Sequence, residues 1–165
     1  MKIVYVITGL SMGGAEKQVC LLADKMAERG NEVSLVSLGS NAKVLPEHKD
    51  VKVIQMSMSK EPLSLMKTLF SLRRIIKSQE PDVVHSHLFH ANIICRLLRC
   101  FTRINILISS SHSRYEGGRL RMFLYRITSP LCDLITNVSI DAVNENIRKK
   151  IAPRDKIIAV GNGID

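Results

Sequence analysis

Short apolar runs alternate with longer amphipathic segments along the whole chain, and this alternation constrains the fold most. The first run, residues 2–7, is rich in β-branched side chains, as is typical of a strand buried on both faces. The next segment, residues 15–29, repeats apolar side chains at helical spacing and stops at Gly30. Because strands joined by helical crossovers run parallel, the pattern predicts a doubly wound α/β domain. We expect a mainly parallel, Rossmann-like sheet with helices on both faces.

The remaining segments continue the same order. Further strands are predicted at residues 31–38, 51–56, 82–87, 104–109, 131–138 and 156–160. Further helices are predicted at residues 61–79, 88–101, 119–128 and 141–151. A chain of 165 residues has the usual size of one domain, so we predict a single domain over residues 1–165. Residues 161–165 form a turn-like ending directly after a strand, which leads us to expect a shortened chain.

Composition narrows the class of protein. The 45% of hydrophobic and 24% of charged residues are typical of a soluble globular domain and exclude a disordered or collagen-like chain. No run approaches the roughly 18 apolar residues of a membrane span. The apolar N-terminus is short and lacks a cleavage-site pattern, which favours a strand over a signal peptide. The absence of a Cys-x-x-Cys pair excludes that zinc or redox motif.

Net charge is the unusual property of this chain. The formal charge of +9 favours polyanionic partners, namely nucleic acid, an anionic bilayer or phosphorylated ligands. Aromatic residues make up only 4% and tryptophan is absent, which weakens a stacking mode of binding to single-stranded nucleic acid.

A glycine-containing loop joins the first strand to the first helix. Gly13 and Gly14 stand at the helix N-terminus, where backbone N–H groups and the helix dipole favour an anion such as phosphate. A tight turn without a ligand is the alternative. The spacing matches neither Gly-x-Gly-x-x-Gly nor a Walker loop, which argues against a nicotinamide cofactor and P-loop chemistry.

Histidines end two of the predicted strands. His85 and His87 have the i, i+2 spacing that points both side chains the same way on a strand. Such a pair can bind a metal, but no cysteine or carboxylate obviously completes a site, so we favour polar residues facing a cleft and predict no metal. His112 follows the strand at 104–109 and suits a hydrogen bond to a hydroxyl or phosphate; a plain loop histidine is the alternative. A Ser–His hydrolase would lack the Gly-x-Ser-x-Gly elbow.

Three segments occur in an order that is specific as a set: Met-Gly-Gly-Ala-Glu at 12–16, Pro-Asp-Val-Val-His-Ser-His at 81–87 and Val-Gly-Asn-Gly-Ile-Asp at 160–165. Together they resemble the N-terminal half of a GT-B glycosyltransferase of family 4, the retaining enzymes related to glycogen synthase. The resemblance covers essentially the whole chain. It implies an acceptor-binding half, with the donor-binding domain and its Glu-x7-Glu motif absent from this chain. The family usually has proline where Gly161 stands.

The resemblance also implies roles for residues of the glycine loop. Gly13 and Gly14 match the loop that approaches the donor diphosphate and the reacting sugar. Glu16 matches the acidic residue of the motif, and we expect it to anchor the loop.

The histidines receive roles from the same resemblance. His112 matches a residue that contacts the donor sugar near the scissile bond, which makes it the implied catalytic residue. His85 and His87 fall in a segment beside the acceptor cleft.

As a family member, the complete protein would transfer a sugar from a nucleotide sugar to a glycolipid or polysaccharide acceptor, such as lipopolysaccharide, with retention and without a metal or other cofactor. The isolated chain would be inactive, and the protein would be cytoplasmic and peripheral on the inner face of the cytoplasmic membrane. Two other functions stay open. One is a stand-alone binding module or accessory subunit that recruits a catalytic partner. The other is a basic α/β domain that binds nucleic acid, which the absence of a recognised motif disfavours.

The predicted helix at 61–79 has two distinct faces. A stripe at helical spacing predicts the core face, formed by Leu65, Leu69, Leu72 and Ile76.

The opposite face of this helix carries basic side chains with apolar ones among them. It is formed by Lys67, Phe70, Arg74 and Lys77, with Met66 beside them. This pattern is typical of a helix that lies on an anionic membrane, and a solvated face is the alternative. A second basic row is predicted at Arg96, Arg99 and Arg103.

Overall fold

The computed structural model describes residues 1–114 and 116–163 and contains one seven-stranded parallel sheet. The strand order is β3-β2-β1-β4-β5-β6-β7. The strands are β1 Lys2–Ile7, β2 Glu32–Ser37, β3 Lys52–Gln55, β4 Val83–His87, β5 Ile106–Ser111, β6 Leu134–Asn137 and β7 Ile157–Ala159. The predicted α/β class and parallel sheet are confirmed.

Within the described residues five α-helices connect these strands, and each of them falls in a segment predicted to be helical. They are α1 Gly14–Glu28, α2 Pro62–Gln79, α3 Phe89–Leu98, α4 Arg119–Thr128 and α5 Ile140–Arg148. β6 spans Leu134–Asn137 rather than the predicted 131–138, because a 3-10 turn covers Ser129–Leu131 before it. No helix within the described residues has the length and apolar character that crossing a bilayer requires.

The two faces of the sheet are covered differently. Alternate β1 side chains point to opposite sides, so Tyr5 packs in a core with α1 while Val4 and Val6 pack in a core shared by α2, α3 and α5. On the α1 side of the sheet, a cavity of about 560 Å³ lies between α1 and the ends of strands β1, β4, β5, β6 and β7. Ile158 and Val160, which line it, remain 47% and 51% exposed.

The core face of α2 begins later than predicted. Leu72 and Ile76 are buried at 0% and 1% exposure, and Leu69 is partly buried against the same core. Leu65, however, is 37% exposed and takes no part in that cluster, so its assignment to the core was wrong. It shares the angular face of Leu72, but it lies in the first turn of the helix, where no core side chains cover it.

The predicted basic row at Arg96, Arg99 and Arg103 is also wrong, because Arg96 points inward. Arg96 is 2% exposed, and its guanidinium donates to Ser109 Oγ at 3.1 Å and to Thr128 Oγ1 at 3.1 Å. Arg99 instead pairs with Asp133 at 2.7 Å. The helical spacing was compatible with a surface row, but β5 and α4 offer Arg96 enough acceptors to bury its charge.

Replacing Leu72 by alanine is expected to lower the free energy of unfolding by about 2–5 kcal/mol, because it opens a cavity in the core beneath α2. Leu65→Ala in the same helix is the matched control and should cost less than about 1 kcal/mol. Urea titration of the 165-residue chain measures both changes. Equal losses in the two variants would contradict the boundary of the core described above.

Candidate active site

The candidate site lies at the carboxyl edge of the sheet, between β1 and β4. From β1 the chain crosses over α1 to β2 on one side, and from β4 it crosses over α3 to β5 on the other. The order of strands therefore reverses between β1 and β4, which opens a crevice where parallel α/β sheets bind ligands. The glycine loop, the end of β4 and the segment after β5 all meet at this crevice.

The glycine loop is tied to the first turn of α1 by Glu16. Glu16 is 8% exposed, and its Oε1 accepts a hydrogen bond from Ser11 Oγ at 2.6 Å. A Cβ atom at Gly13 would collide with Glu16 Oε2, whereas one at Gly14 would meet nothing within 4 Å. The close packing of Gly13 on the carboxylate matches the anchoring role expected of Glu16, which stays a prediction.

Gly13 and Gly14 also leave the start of α1 open. Gly13 is the N-cap residue and Gly14 begins the helix, and no side chain of the described residues caps this end. The first-turn N–H groups therefore remain available to an anion. They adjoin a cavity of about 550 Å³ that His112 also lines.

His85 and His87 stack side by side at the end of β4. Their ring centroids lie 4.1 Å apart, so the two side chains point the same way, as the spacing predicted. His85 Nε2 hydrogen-bonds to Ser110 Oγ at 2.6 Å, and that hydroxyl contacts Thr136 Oγ1 at 2.5 Å. His87 is only 3% exposed, which places it beneath the surface of the crevice.

His112 follows β5 directly, because β5 extends to Ser111 rather than ending at the predicted 109. Its Nε2 lies 2.9 Å from His87 Nδ1, in hydrogen-bonding contact. The structure thus brings together the glycine loop and all three histidines that the sequence singled out. The contacts predicted with donor and acceptor stay predictions.

Burial keeps the three histidines uncharged near neutral pH. Loss of hydration, together with a smaller effect of positive charge on His112, lowers the pKa of His85 to about 4. Burial likewise lowers the pKa of His87 well below its ordinary value. It also lowers the pKa of His112, which the charge of Glu16 partly opposes. The site therefore offers neutral hydrogen-bonding rings rather than cations.

Glu116 completes the site, and the sequence analysis missed it. Its Oε1 accepts from the backbone N–H of His112 at 3.0 Å, and its Oε2 accepts from the Tyr125 hydroxyl at 2.5 Å. Asn92 Nδ2 donates to the same hydroxyl at 3.2 Å. Burial raises the pKa of the Glu116 carboxyl. The only signal in the sequence was that Glu116 is the sole acidic residue between His112 and α4.

Leu88 joins β4 to α3 in a strained conformation that no sequence signal indicated. Its φ of +70° with ψ of 164° belongs to a region almost restricted to glycine, at a cost of about 1–3 kcal/mol. The Leu88 N–H donates to Ser110 O at 3.2 Å, and the Leu88 carbonyl accepts from Asn92 N at 2.9 Å. Such strain is held by surrounding contacts and is typical of functional sites.

Arg121 brings a positive charge to the mouth of the 550 Å³ cavity. Its guanidinium lies 4.6 Å from the centroid of the Phe89 ring, and Nη1 donates to Glu116 O at 3.3 Å. Together with the first turn of α1, Arg121 makes this side of the crevice suited to an anionic group. Within residues 1–114 and 116–163, no group of three or more His, Cys, Asp or Glu side chains could hold a metal ion.

The membrane face predicted on α2 lies apart from this crevice. Lys67, Phe70, Arg74 and Lys77 are all exposed, and Phe70 retains 55% of its accessible surface. Contact with a membrane stays a prediction.

Comparison with known proteins places the chain among glycosyltransferases. The family described as Glycosyltransferase Family 4 matches residues 12–165. A Campylobacter jejuni protein is 28% identical over 143 residues, which are 82% of this chain and 40% of that protein. It is named GalNAc-alpha-(1->4)-GalNAc-alpha-(1->3)-diNAcBac-PP-undecaprenol alpha-1,4-N-acetyl-D-galactosaminyltransferase.

Solved GT-B glycosyltransferases have the same fold. Anabaena HepE in complex with UDP and glucose has a TM-score of 0.77 at 15% identity, over 100% of this chain and 45% of HepE. Sucrose-phosphate synthase from Thermosynechococcus elongatus has a TM-score of 0.78 at 13% identity, over 100% of this chain and 49% of that enzyme. The chain thus spans less than half the length of these relatives. At these identities the structural likeness shows the fold alone.

Acidification is expected to destabilise the chain through the buried histidines. The pKa of His85 is about 4 in the folded chain and near 6.5 when unfolded. The unfolded chain therefore binds more protons between these pH values, and the free energy of unfolding falls as the pH is lowered through this window. His85 alone accounts for about 3 kcal/mol between pH 7 and pH 4.

Urea titrations at pH 7 and pH 4 measure this effect. His85→Gln retains a hydrogen-bonding group near Ser110 but does not titrate, so its loss on acidification should be about 3 kcal/mol smaller than that of the parent. His48→Gln, in the loop between β2 and β3, is the control and should behave like the parent. An unchanged pH dependence in His85→Gln would refute the burial argument.

Proposed function

The chain belongs to Glycosyltransferase Family 4, and on that premise we propose that it is the acceptor-binding half of a transferase. The complete protein transfers a hexose-type sugar from a nucleotide sugar to an acceptor hydroxyl, with retention of configuration and without a metal. The observation that carries the proposal is the meeting of the glycine loop and His112 at the crevice between β1 and β4. The alternative of an accessory binding module gives no reason for this arrangement of a phosphate-suited loop beside the partly buried His112.

The nucleotide-sugar donor contacts this half of the transferase through its diphosphate and its sugar. The open N-terminus of α1 and the guanidinium of Arg121 favour the diphosphate, whose negative charge both attract. His112 contacts the donor sugar as an uncharged ring. The rest of the donor site belongs to a second domain, so the 165-residue chain alone transfers no sugar.

The acceptor is a glycolipid. The printed name of the Campylobacter relative describes a glycan carried on undecaprenol through a diphosphate, and we extend that class of acceptor to this chain. Support comes from α2, where Lys67, Arg74 and Lys77 are exposed beside Phe70. Basic side chains with an exposed aromatic ring among them suit the anionic surface of a bilayer. The protein accordingly works at the inner face of the cytoplasmic membrane.

Replacing His112 by alanine is expected to lower sugar transfer by about 10²–10³-fold, because one preorganised polar contact to the reacting sugar is lost. The assay uses the protein encoded by the complete reading frame, with membrane glycolipid as acceptor and a panel of nucleotide sugars. His48→Ala is the control and should retain full transfer. Thermal melting of each variant separates a chemical loss from unfolding. If His112→Ala retained full transfer, the assignment of His112 would be wrong.

The face of α2 gives a second test, independent of catalysis. Reversing the charges of Lys67, Arg74 and Lys77 to Glu should weaken flotation with anionic vesicles, because each basic residue contributes about 1 kcal/mol near an anionic surface. The same reversal at the exposed Lys49, Lys52 and Arg154 lowers the net charge equally and is the matched control. Equal flotation of the two triple variants at 0.15 M salt would show that net charge, rather than this face, binds the membrane.

A further inference from the structure

The His87–His112 pair leaves two buried nitrogen atoms without partners. His87 Nδ1 and His112 Nε2 bond to each other at 2.9 Å. The outer nitrogens, His87 Nε2 and His112 Nδ1, are shielded from solvent and make no hydrogen bond to any described residue. Because nearly all buried polar atoms in folded proteins are paired, this arrangement requires an explanation in terms of what the two rings do.

The number of protons on the two rings restricts the tautomers that His87 and His112 can adopt together. Burial disfavours charge on either ring, so each neutral imidazole carries one N–H. A hydrogen bond between two nitrogens needs one proton between them. If His87 Nδ1 donates, His112 must carry its own proton on Nδ1; if His112 Nε2 donates, His87 must carry its proton on Nε2. The two outer nitrogens are therefore always opposite, one a donor and the other an acceptor.

The surroundings hold both rings in this relation. Tyr5 from β1 packs beside the His87 ring, with ring centroids 6.0 Å apart. The centroid of the His85 ring lies 4.1 Å from that of His87. Glu116 accepts the backbone N–H of His112, which fixes the start of the loop. Charged side chains line the two cavities beside the pair, namely Lys25 and Glu16 on α1, Glu116 on the loop and Arg121 on α4.

We propose that His87 is a positioning residue that fixes the ring orientation and the tautomer of His112 through one shared proton. This role differs from the acceptor contact predicted from the sequence, and it is carried by the 2.9 Å contact between His87 Nδ1 and His112 Nε2. Its effect on catalysis rests on the proposed function, in which His112 meets the donor sugar. A fixed tautomer decides whether His112 Nδ1, the ring nitrogen that does not bond to His87, is a donor or an acceptor.

Two variants separate positioning from packing. His87→Phe keeps an aromatic ring beside Tyr5 and His85 but removes the partner of His112 Nε2. His87→Asn is smaller, but its amide keeps a hydrogen-bonding atom near the position of Nδ1 and can either donate or accept. A purely structural role predicts that Phe is the milder change, whereas the positioning role predicts that Asn is.

Nitrogen NMR of the uniformly ¹⁵N-labelled 165-residue chain tests the shared proton without any assay of transfer. At pH 7 we expect a scalar coupling across the hydrogen bond from His87 Nδ1 to His112 Nε2, one of these nitrogens protonated, and opposite protonation of the two outer nitrogens. His87→Phe should abolish the coupling. A parent spectrum with no coupling, or with both outer nitrogens in the same state, would overturn the proposal.

Kinetics of the complete protein test the consequence. His87→Phe should lower kcat by up to about 10²-fold with less change in KM, because a misplaced catalytic ring costs rate more than binding. His87→Asn should restore most of kcat at pH 7, and His48→Phe is the control for the substitution itself.

The kinetic outcomes are decisive in both directions. If His87→Phe is as active as the parent, or more active than His87→Asn, His87 is not a positioning residue. If no variant and no parent protein transfers sugar, the proposed function fails, while the NMR result still decides whether the pair shares its proton.

Discussion

The pairing of β4 between β1 and β5 is the constraint on which the rest of the site depends. Parallel register sets Ile7 beside His87 and His87 beside Ser110, so residues far apart in the sequence end at the same height on one edge. This adjacency exists only because the chain leaves β3 through the long helix α2 and returns beside β1. The position of the crevice thus follows from the strand topology and does not depend on which side chains line it.

Burial then gives the side chains at this edge their chemistry. Histidines exposed to solvent titrate near neutral pH, but these rings lie against Tyr5, β5 and one another, and the cost of desolvation keeps them uncharged. Cationic character at the crevice comes instead from Arg121 and from the dipole of α1. Positive charge and neutral hydrogen-bonding rings therefore lie at different positions in the site.

The fold followed from local pattern, because parallel strands and amphipathic helices carry strong periodic signals. β1 and α4 occur at the residues predicted, and no predicted element is missing. The burial of individual side chains was harder to predict, because it depends on neighbours distant in sequence. The sequence predicts Arg96 at the surface, but the fold places Ser109 and Thr128 beside it as hydrogen-bond acceptors. Leu65 has the correct angle for the core but lies where no partner covers it.

Site residues that belong to a sequence motif could be predicted, whereas residues whose role depends on tertiary contacts could not. The glycine loop and the three histidines could be named from spacing and resemblance. Glu116 is recognisable only once it accepts from His112 and Tyr125, and the strain at Leu88 has no sequence signal, because leucine is an unexpected residue at positive φ.

A crystal structure of the complete protein with a bound nucleotide sugar tests the central claim most directly. We expect the sugar to lie between the glycine loop and His112, with the diphosphate toward the N-terminus of α1 and with His87 Nδ1 still in contact with His112 Nε2. A sugar bound away from the crevice between β1 and β4, with the glycine loop and His112 in contact with solvent alone, would contradict it.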